Sequence, residues 1–380
     1  MERENLFVQR SIETPKEDLK PSFLQKHWDR VYSYAAAICL VSFGLAIFGV
    51  FTLQFEPADR EDVAVKTITP VRKLFAFDIS QLSDTTGGDV ATRPPKQEVP
   101  PPEFVGETLV SSSLFTADAI AVRDVASGKL LYQFRADEQR PIASITKLMS
   151  TLIILERRPN WTATSTVVTD DLIDNHMYAG DTYTQEELWN SALVASSNKA
   201  VFSLADAVGI SRASFADRMN SRATELGMSN TRFVEPTGLD EGNVSTAAQL
   251  TKLLSAALEK EEIRNALLTQ EYTLYSKERE VEHHMWNTNW LMLGWIVNTG
   301  QFEEFLGGKT GYIPAAGYNF AMRVANAEGN EIDVVVLGTD FHEARFEEAR
   351  DIAGWVFENY QWPEKKQKED AGQEDNIQKE

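Results

Sequence analysis

Cysteine is almost absent: Cys39 stands alone among 380 residues. A disulfide within the chain is excluded, and so is a zinc site built from several thiolates. Basic charge is scarce as well. The chain has 37 Lys and Arg against 57 Asp and Glu, a formal net charge of −20. Nucleic-acid affinity comes largely from cations meeting phosphates, so no nucleic-acid partner is expected. Charge-free runs are also rare, and the long exception is 31–55 (VYSYAAAICLVSFGLAIFGVFTLQF). Crossing a bilayer takes about 20 apolar residues, so this run is long enough to span one. It is apolar all round and flanked by Asp29, Arg30 and Glu56. A cleaved leader would have a shorter apolar core and a small-x-small site, and LQFEPADRE supplies none. We read an uncleaved transmembrane anchor. Lysine and arginine are balanced on its two sides, so charge alone orients it weakly.

What is present divides the chain. Residues 1–30 are polar and mixed in charge, a tail on one side of the bilayer. Residues 56–106 form a linker, and its ATRPPKQEVPPPEF is stiff, proline-rich sequence that would hold a domain off the membrane. Residues 362–380 are a charged tail, with EKKQKEDAGQEDNIQKE almost free of apolar residues and expected to be disordered. No internal repeat is apparent. The globular part is 107–361. It opens with a hairpin, AIAVRDV and KLLYQF joined through Ala126-Ser127-Gly128. Ile145, Leu148, Met149, Leu152 and Leu155 recur at helical spacing and predict a helix over 144–156. Further helical patterns fill 185–208. Another helix starts at Ser245 or Thr246, either of which suits an N-cap. Strand signals return in YNFAMRVANAEGNEIDVVVLGTD, turning at Glu328-Gly329-Asn330, and EARFEEARDIAGWVFENY reads as a closing helix. Strands at both ends with helices between them predict an α/β (α+β) domain. Its one sheet is built from distant segments and carries an inserted helical subdomain.

Ser144 and Lys147 sit at i and i+3, so on a helix they share a face. A serine hydroxyl becomes a nucleophile when a neighbouring base takes its proton, and a lysine is such a base only when neutral. An S-x-x-K by itself is ordinary: a capping serine and a surface lysine give the same string. Ser196-Ser197-Asn198 lies between two apolar helical runs and alone is an ordinary polar turn. Gly308-Lys309-Thr310-Gly311 invites a phosphate-loop reading, but that loop needs a glycine where Glu303 stands. On a strand, Lys-Thr-Gly offers a cation and a hydroxyl beside an open backbone edge, which suits a carboxylate.

S-x-x-K, then S-x-N, then K-T-G, in that order, resembles the signature of penicillin-binding proteins and serine β-lactamases. PIASITKLMS, FVEPTGLDEGNVSTAAQLTKL, NTNWLM, GGKTGYIPAAGYNF and ARFEEARDIAGW resemble the low-molecular-weight D-alanyl-D-alanine carboxypeptidases over about 115–360. The resemblance implies a β-lactamase/transpeptidase-like fold, an antiparallel sheet flanked by helices. It implies that Ser144 attacks the penultimate D-alanine of a peptidoglycan stem peptide, forming an acyl-enzyme, with Lys147 as base. Ser196 and Asn198 would relay protons and orient the peptide. Lys309 and Thr310, with Gly311 and Tyr312 beside them, would bind the terminal carboxylate, and Lys309 would help keep Lys147 neutral. The N–H groups of Ser144 and Tyr312 would form the oxyanion hole. β-Lactam antibiotics would be covalent inhibitors, and no metal or organic cofactor is implied. A wall substrate would place the domain outside the cytoplasm of a bacterium and residues 1–30 inside it.

Other readings stay open: a D,D-endopeptidase, which shares every motif, a β-lactamase, or a catalytically weak penicillin-binding wall protein. EPTGLD, from Glu235 to Asp240, is similar to the segment holding the deacylating glutamate of β-lactamases, though its spacing is one residue longer. Lys199 stands where the family often has aspartate, and we expect it to face solvent. No second domain is expected after Tyr360, which would leave 31–55 as the membrane attachment. His283-His284 are read as a rim or core contact rather than metal ligands. Trp286, Trp290 and Trp295 are read as packing of the helical subdomain.

Overall fold

Runs of Ala, Val and Ile near both ends of the globular part meet in one sheet. The computed structural model describes residues 99–106, 114–167, 174 and 176–364. The chain begins with β1 (Glu103–Phe104), β2 (Ala119–Asp124), β3 (Leu130–Phe134) and β4 (Arg140–Pro141). A 3₁₀ turn (Ala143–Ile145) leads into α1 (Thr146–Glu156). The middle holds β5 (Thr164–Thr166), β6 (Thr182–Thr184), α2 (Gln185–Val194), α3 (Asn198–Ala207), α4 (Arg212–Glu225) and β7 (Val244–Ser245). It continues with α5 (Ala247–Leu258), α6 (Glu261–Leu268), β8 (Glu271–Ser276) and β9 (Val281–Trp286). The chain returns through β10 (Glu304–Ile313), β11 (Gly317–Ala325), β12 (Glu331–Thr339), α7 (Ala344–Asn359) and β13 (Tyr360–Gln361).

The main sheet has the order β10-β11-β12-β2-β3, antiparallel throughout. Alternate residues of a strand face opposite sides, and here both sides are covered. Ala119, Ala121, Ala321, Val335 and Leu337 face one hydrophobic cluster. Ile120, Val122, Phe320, Met322, Val334 and Val336 face the other. This is why DVVVLG reads as a continuous apolar run rather than an alternating one. The small alanines let α5 lie close on the first face, and α7 covers the second. Helix α1 packs on the far side of α5 and is enclosed by α3 and α4. Every residue from Thr146 to Ile154 is buried, so the apolar stripe expected from spacing is a helix buried on all sides.

The two expected hairpins form, the second closing through Gly329 at φ +70°. Thr246 caps α5, its hydroxyl accepting from Gln249 N at 3.2 Å, while Ser245 pairs in β7. Two segments read as linker and tail join the folded unit. Glu103–Phe104 pair with Tyr360–Gln361, and Trp362 Nε1 donates to Asp124 Oδ1 at 2.8 Å. The apolar run 31–55 lies outside the described residues. Among those residues no helix is long and apolar enough to cross a membrane.

A buried ion pair ties the sheet to α5. Asp333 and Arg323 are cross-strand partners, joined by two bonds of 2.7 and 2.9 Å. Arg323 Nη2 also donates to Ser255 Oγ at 3.0 Å. Removing one charge strands the other in a low-dielectric interior. Asp333→Ala is therefore expected to lower unfolding free energy by about 3–5 kcal/mol. An Arg323→Met/Asp333→Leu double variant is expected to recover most of that loss. Urea midpoints of the three proteins check it.

Candidate active site

The turn before α1 is pinned from several directions. Strand β4 pairs with β7, and Ile142 N donates to Asn243 O at 3.0 Å. Ala143 then takes φ +48°, a left-handed conformation that costs a non-glycine residue roughly 1–2 kcal/mol. The kink delivers Ser144 to the N-terminal end of α1, where helix dipoles favour negative charge. Lys147 follows one turn later, fully buried.

The Lys147 amine has three neighbours: Ser144 Oγ at 2.7 Å, Asn198 Oδ1 at 2.7 Å and the Thr237 carbonyl oxygen at 2.8 Å. The last two can only accept. A neutral amine has two N–H bonds and one lone pair. Its N–H groups satisfy Asn198 and Thr237, which leaves the lone pair directed at the serine hydroxyl. Burial pushes Lys147 down to about 7, against the opposing pull of Glu235 and Asp174. Lys309 is also fully buried. Its Nζ donates to Ser196 Oγ at 2.7 Å and to the Thr310 carbonyl at 3.0 Å. Burial, then the charges of Lys147 and Arg345, push it well below the usual lysine range. The influence runs the other way from the one expected: the charge of Lys147 lowers Lys309, while Lys147 itself is lowered by burial.

Ser196 reaches Lys309 from a strained turn between α2 and α3, at φ +59°. The next residue, Ser197, caps α3 by accepting from Ala200 N at 3.1 Å, and it donates to Asp174 Oδ2. Asp174 also accepts from Lys199 N at 3.0 Å. Lys199 does not face solvent as expected. It is 5% exposed, and its Nζ donates to Met177 O at 2.8 Å. The Met177 carbonyl gives the amine an internal acceptor, so the side chain is enclosed rather than exposed.

Strand β10 is an edge strand, and it approaches the Ser144 turn at Gly311. A β-carbon there would come within 2.9 Å of Ile142 O and 3.1 Å of Ser144 N. Only glycine leaves the Ser144 N–H unobstructed. Gly238, at φ +89°, does the same from below: a β-carbon would stand 2.0 Å from Ala143 O. Its loop is held by Glu235, whose carboxylate accepts from Thr237 N (2.6 Å), Thr237 Oγ1 (2.6 Å), Gly238 N (2.5 Å) and Asn243 Nδ2 (2.6 Å). That carboxylate is fully engaged in shaping the loop.

Ser144, Ser196, Asn198, Thr310, Gly311 and Tyr312 all line one cavity of about 520 Å³. Lys147 and Lys309 lie behind its wall. All eight residues singled out from the sequence are brought together. The cavity also takes in Asp174, Thr288, Trp290, Tyr318, His342 and Arg345, which sequence reasoning missed. Thr288 is bonded to Thr310, Oγ1 to Oγ1, at 2.6 Å. Arg345 is 4% exposed, reaches Gly311 O at 3.4 Å and His342 Nε2 at 2.7 Å, and keeps an unpartnered Nε. Burial lowers it to about 10. Its sequence signal was faint, a lone arginine in a helix rich in charge. His283 and His284 lie on β9, where His284 meets Thr273 at 3.2 Å and Glu271 at 3.3 Å. Among the described residues no three His, Cys, Asp or Glu are grouped to hold a metal.

The cavity can bind a carboxylate beside a serine whose proton has a neutral amine to go to. Comparison with known proteins agrees with that chemistry. Residues 107–340 match the family model described as D-alanyl-D-alanine carboxypeptidase. A D-alanyl-D-alanine endopeptidase of Pseudomonas aeruginosa is 30% identical over 271 residues, covering 70% of this chain and 82% of the relative. The carboxypeptidase DacC of Escherichia coli is 29% identical over 272 residues, covering 68% of this chain and 65% of the relative. Among solved structures, a mutant Streptomyces DD-transpeptidase superposes with a TM-score of 0.58 at 27% identity, covering 64% of this chain and 98% of its own. A penicillin-binding protein of Listeria monocytogenes in its ampicillin-bound form gives 0.55 at 28% identity, over 66% and 100%.

Gly238→Ala forces both a left-handed alanine and a backbone clash. It is expected to cost at least about 2 kcal/mol of stability, the sum of a φ penalty and overpacking. Thermal and urea midpoints would register it, and an unchanged midpoint would mean that the turn relaxes freely.

Proposed function

The chain belongs to the D-alanyl-D-alanine carboxypeptidase family, and from that premise we propose that it cleaves the bond before a terminal D-alanine of peptidoglycan stem peptides through an acyl-enzyme on Ser144. The observation that carries this reading is the Lys147 amine, 2.7 Å from Ser144 Oγ with two obligate acceptors on its other sides.

In the first step the Ser144 proton passes to the Lys147 lone pair as Oγ bonds to the carbonyl carbon. The resulting oxyanion is stabilised by the Ser144 N–H at the start of α1, with Tyr312 N–H on β10 as the second donor. Collapse breaks the amide bond, and the leaving amine takes the proton that Lys147 had accepted, relayed through Ser196, which is bonded to Lys309, so Lys147 is neutral again. Asn198 orients the substrate amide and holds Lys147. Water then attacks the acyl ester and regenerates Ser144. The carboxylate of the leaving D-alanine is held by Thr310 and Lys309, with the Arg345 guanidinium adding positive charge at the cavity wall. The same acylation by a β-lactam gives a covalent penicillin adduct. Glu235 is spent on its own loop, which favours a peptidase over a β-lactamase.

A second reading is D,D-endopeptidase, because relatives 30–32% identical carry that name. Both reactions need a free carboxylate on the leaving residue. Product analysis separates them: release of D-alanine from a pentapeptide identifies the first, splitting of a cross-linked dimer the second. We further propose that 31–55 anchors the chain in a bacterial cell membrane, with residues 1–30 in the cytoplasm and the catalytic domain outside. The length and charge-free composition of that run support it.

Ser144→Ala is expected to abolish labelling by a fluorescent penicillin together with peptide cleavage. Lys147→Ala is expected to slow acylation by about 10²–10⁴-fold, the usual worth of a positioned base. A surviving adduct in Ser144→Ala would transfer the nucleophile elsewhere.

The pH profile tests the base. Lys147 is neutral above its lowered value of about 7 and protonated below it. The acylation rate is therefore expected to be flat at alkaline pH and to fall about tenfold per unit below about 7, as a single protonation requires. A rate that rose on acidification would remove Lys147 from the role.

A further inference from the structure

Three indoles form a path leading out of the cavity. Trp290 lines the cavity wall, its ring 4.1 Å from that of His342, and its body packs on the second hydrophobic cluster. Trp295 stands edge-on to Trp290 at 5.4 Å, and Trp286 lies 6.0 Å beyond Trp295. Only the first of the three is a packing residue. Trp295 is 52% exposed and Trp286 49% exposed. These two do not pack in the helical subdomain, as was expected of buried indoles. Trp286 ends β9, and Trp295 follows in the loop before β10. Polar groups border the outer end: His284, in ring contact with Trp286 at 5.1 Å, together with Glu271 and Thr273.

An exposed tryptophan offers a flat apolar face with a polar edge. The matching ligand surface is the C–H face of a pyranose ring, ringed by hydroxyls and acetamido groups. The cavity supplies a reason for a sugar to be there. If Ser144 reacts near the C-terminus of a stem peptide, the other end of that peptide is covalently joined to an amino sugar. Four extended residues span about 13–14 Å. The indole path leaves the cavity and runs out over steps of 5.4 and 6.0 Å. A lipid surface is the poorer occupant, since a chain of net charge −20 is repelled by anionic headgroups.

We propose that Trp295 and Trp286 form a binding platform for the N-acetylated amino-sugar part of the substrate, contiguous with the peptide cleft. The proposal rests on the peptidase reading above and extends it from the peptide to the glycan that carries it.

The test compares the full-length chain with Trp295→Ala, Trp286→Ala and the double variant, in three assays. Acylation by fluorescent penicillin reports the catalytic centre alone. Cleavage of a sugar-free stem pentapeptide reports peptide binding. Cleavage of the same pentapeptide on a β-1,4-linked N-acetylated disaccharide reports the platform. The expected result is a KM raised about fivefold to tenfold for the disaccharide substrate only, with kcat and the other two assays unchanged. Trp295→Phe is expected to restore part of the affinity. Equal KM changes with and without sugar, or none in either, would overturn the platform. In vesicles, a lipid-borne quencher that dims wild-type tryptophan emission more than that of Trp295→Ala, with no sugar-dependent KM change, would overturn it in favour of a membrane contact. A wild-type chain that penicillin fails to acylate would instead refute the peptidase reading, so the two failures are distinguishable.

Discussion

The desolvation of one amine governs this site. Lysine is ordinarily protonated near neutrality, and an ammonium group would give Ser144 nothing to donate its proton to. Enclosing α1 between α3, α4 and α5 removes water from Lys147 and makes the uncharged form accessible. Two acceptors, Asn198 Oδ1 and Thr237 O, then decide which way the remaining lone pair points. Burial sets the charge and hydrogen bonding sets the direction. Either alone would leave a lysine that is neutral but misaimed, or aimed but charged.

The rest of the fold can be understood as what holds those acceptors in place. Asn198 opens α3 behind a strained Ser196, and Thr237 sits in a loop shaped by Glu235 and closed over Ala143 by a glycine. Lys309 arrives on the edge strand of a sheet whose other strands come from both ends of the domain. Strain at Ala143 and Ser196 is concentrated where side chains must be aimed, a pattern common at functional sites. The rigid two-faced sheet and its buried Arg323–Asp333 pair hold that geometry in place.

Sequence made the centre legible and the surroundings less so. Ser144 and Lys147 are fixed by covalent spacing, one turn apart, so their contact follows locally from the 3₁₀ turn running into α1. Ser196, Asn198 and Lys309 are distant in sequence, and only their order and their likeness to a known family brought them together. Spacing could not show that α1 is enclosed all round, because an amphipathic stripe and a fully buried helix share the same apolar positions. Nor could it show that Lys199 turns inward, since that depends on a carbonyl at Met177 supplied by tertiary structure. Arg345 and His342 carry no motif of their own. They reach the cavity because α7 lies across the second face of the sheet. The tryptophans misled for the reverse reason: indoles usually pack, and only the placement of β9 and the following loop leaves two of them half in solvent.

The saturated carboxylate of Glu235 has a pharmacological corollary. If a penicillin acylates Ser144 as proposed, a carboxylate with those bonds already in place has no capacity left to prime a water molecule against the ester. Such a protein would sequester the drug one molecule at a time, and each capture would retire a copy of the protein. Any shelter it gave a cell would scale with how much of it is made, not with how fast it turns over.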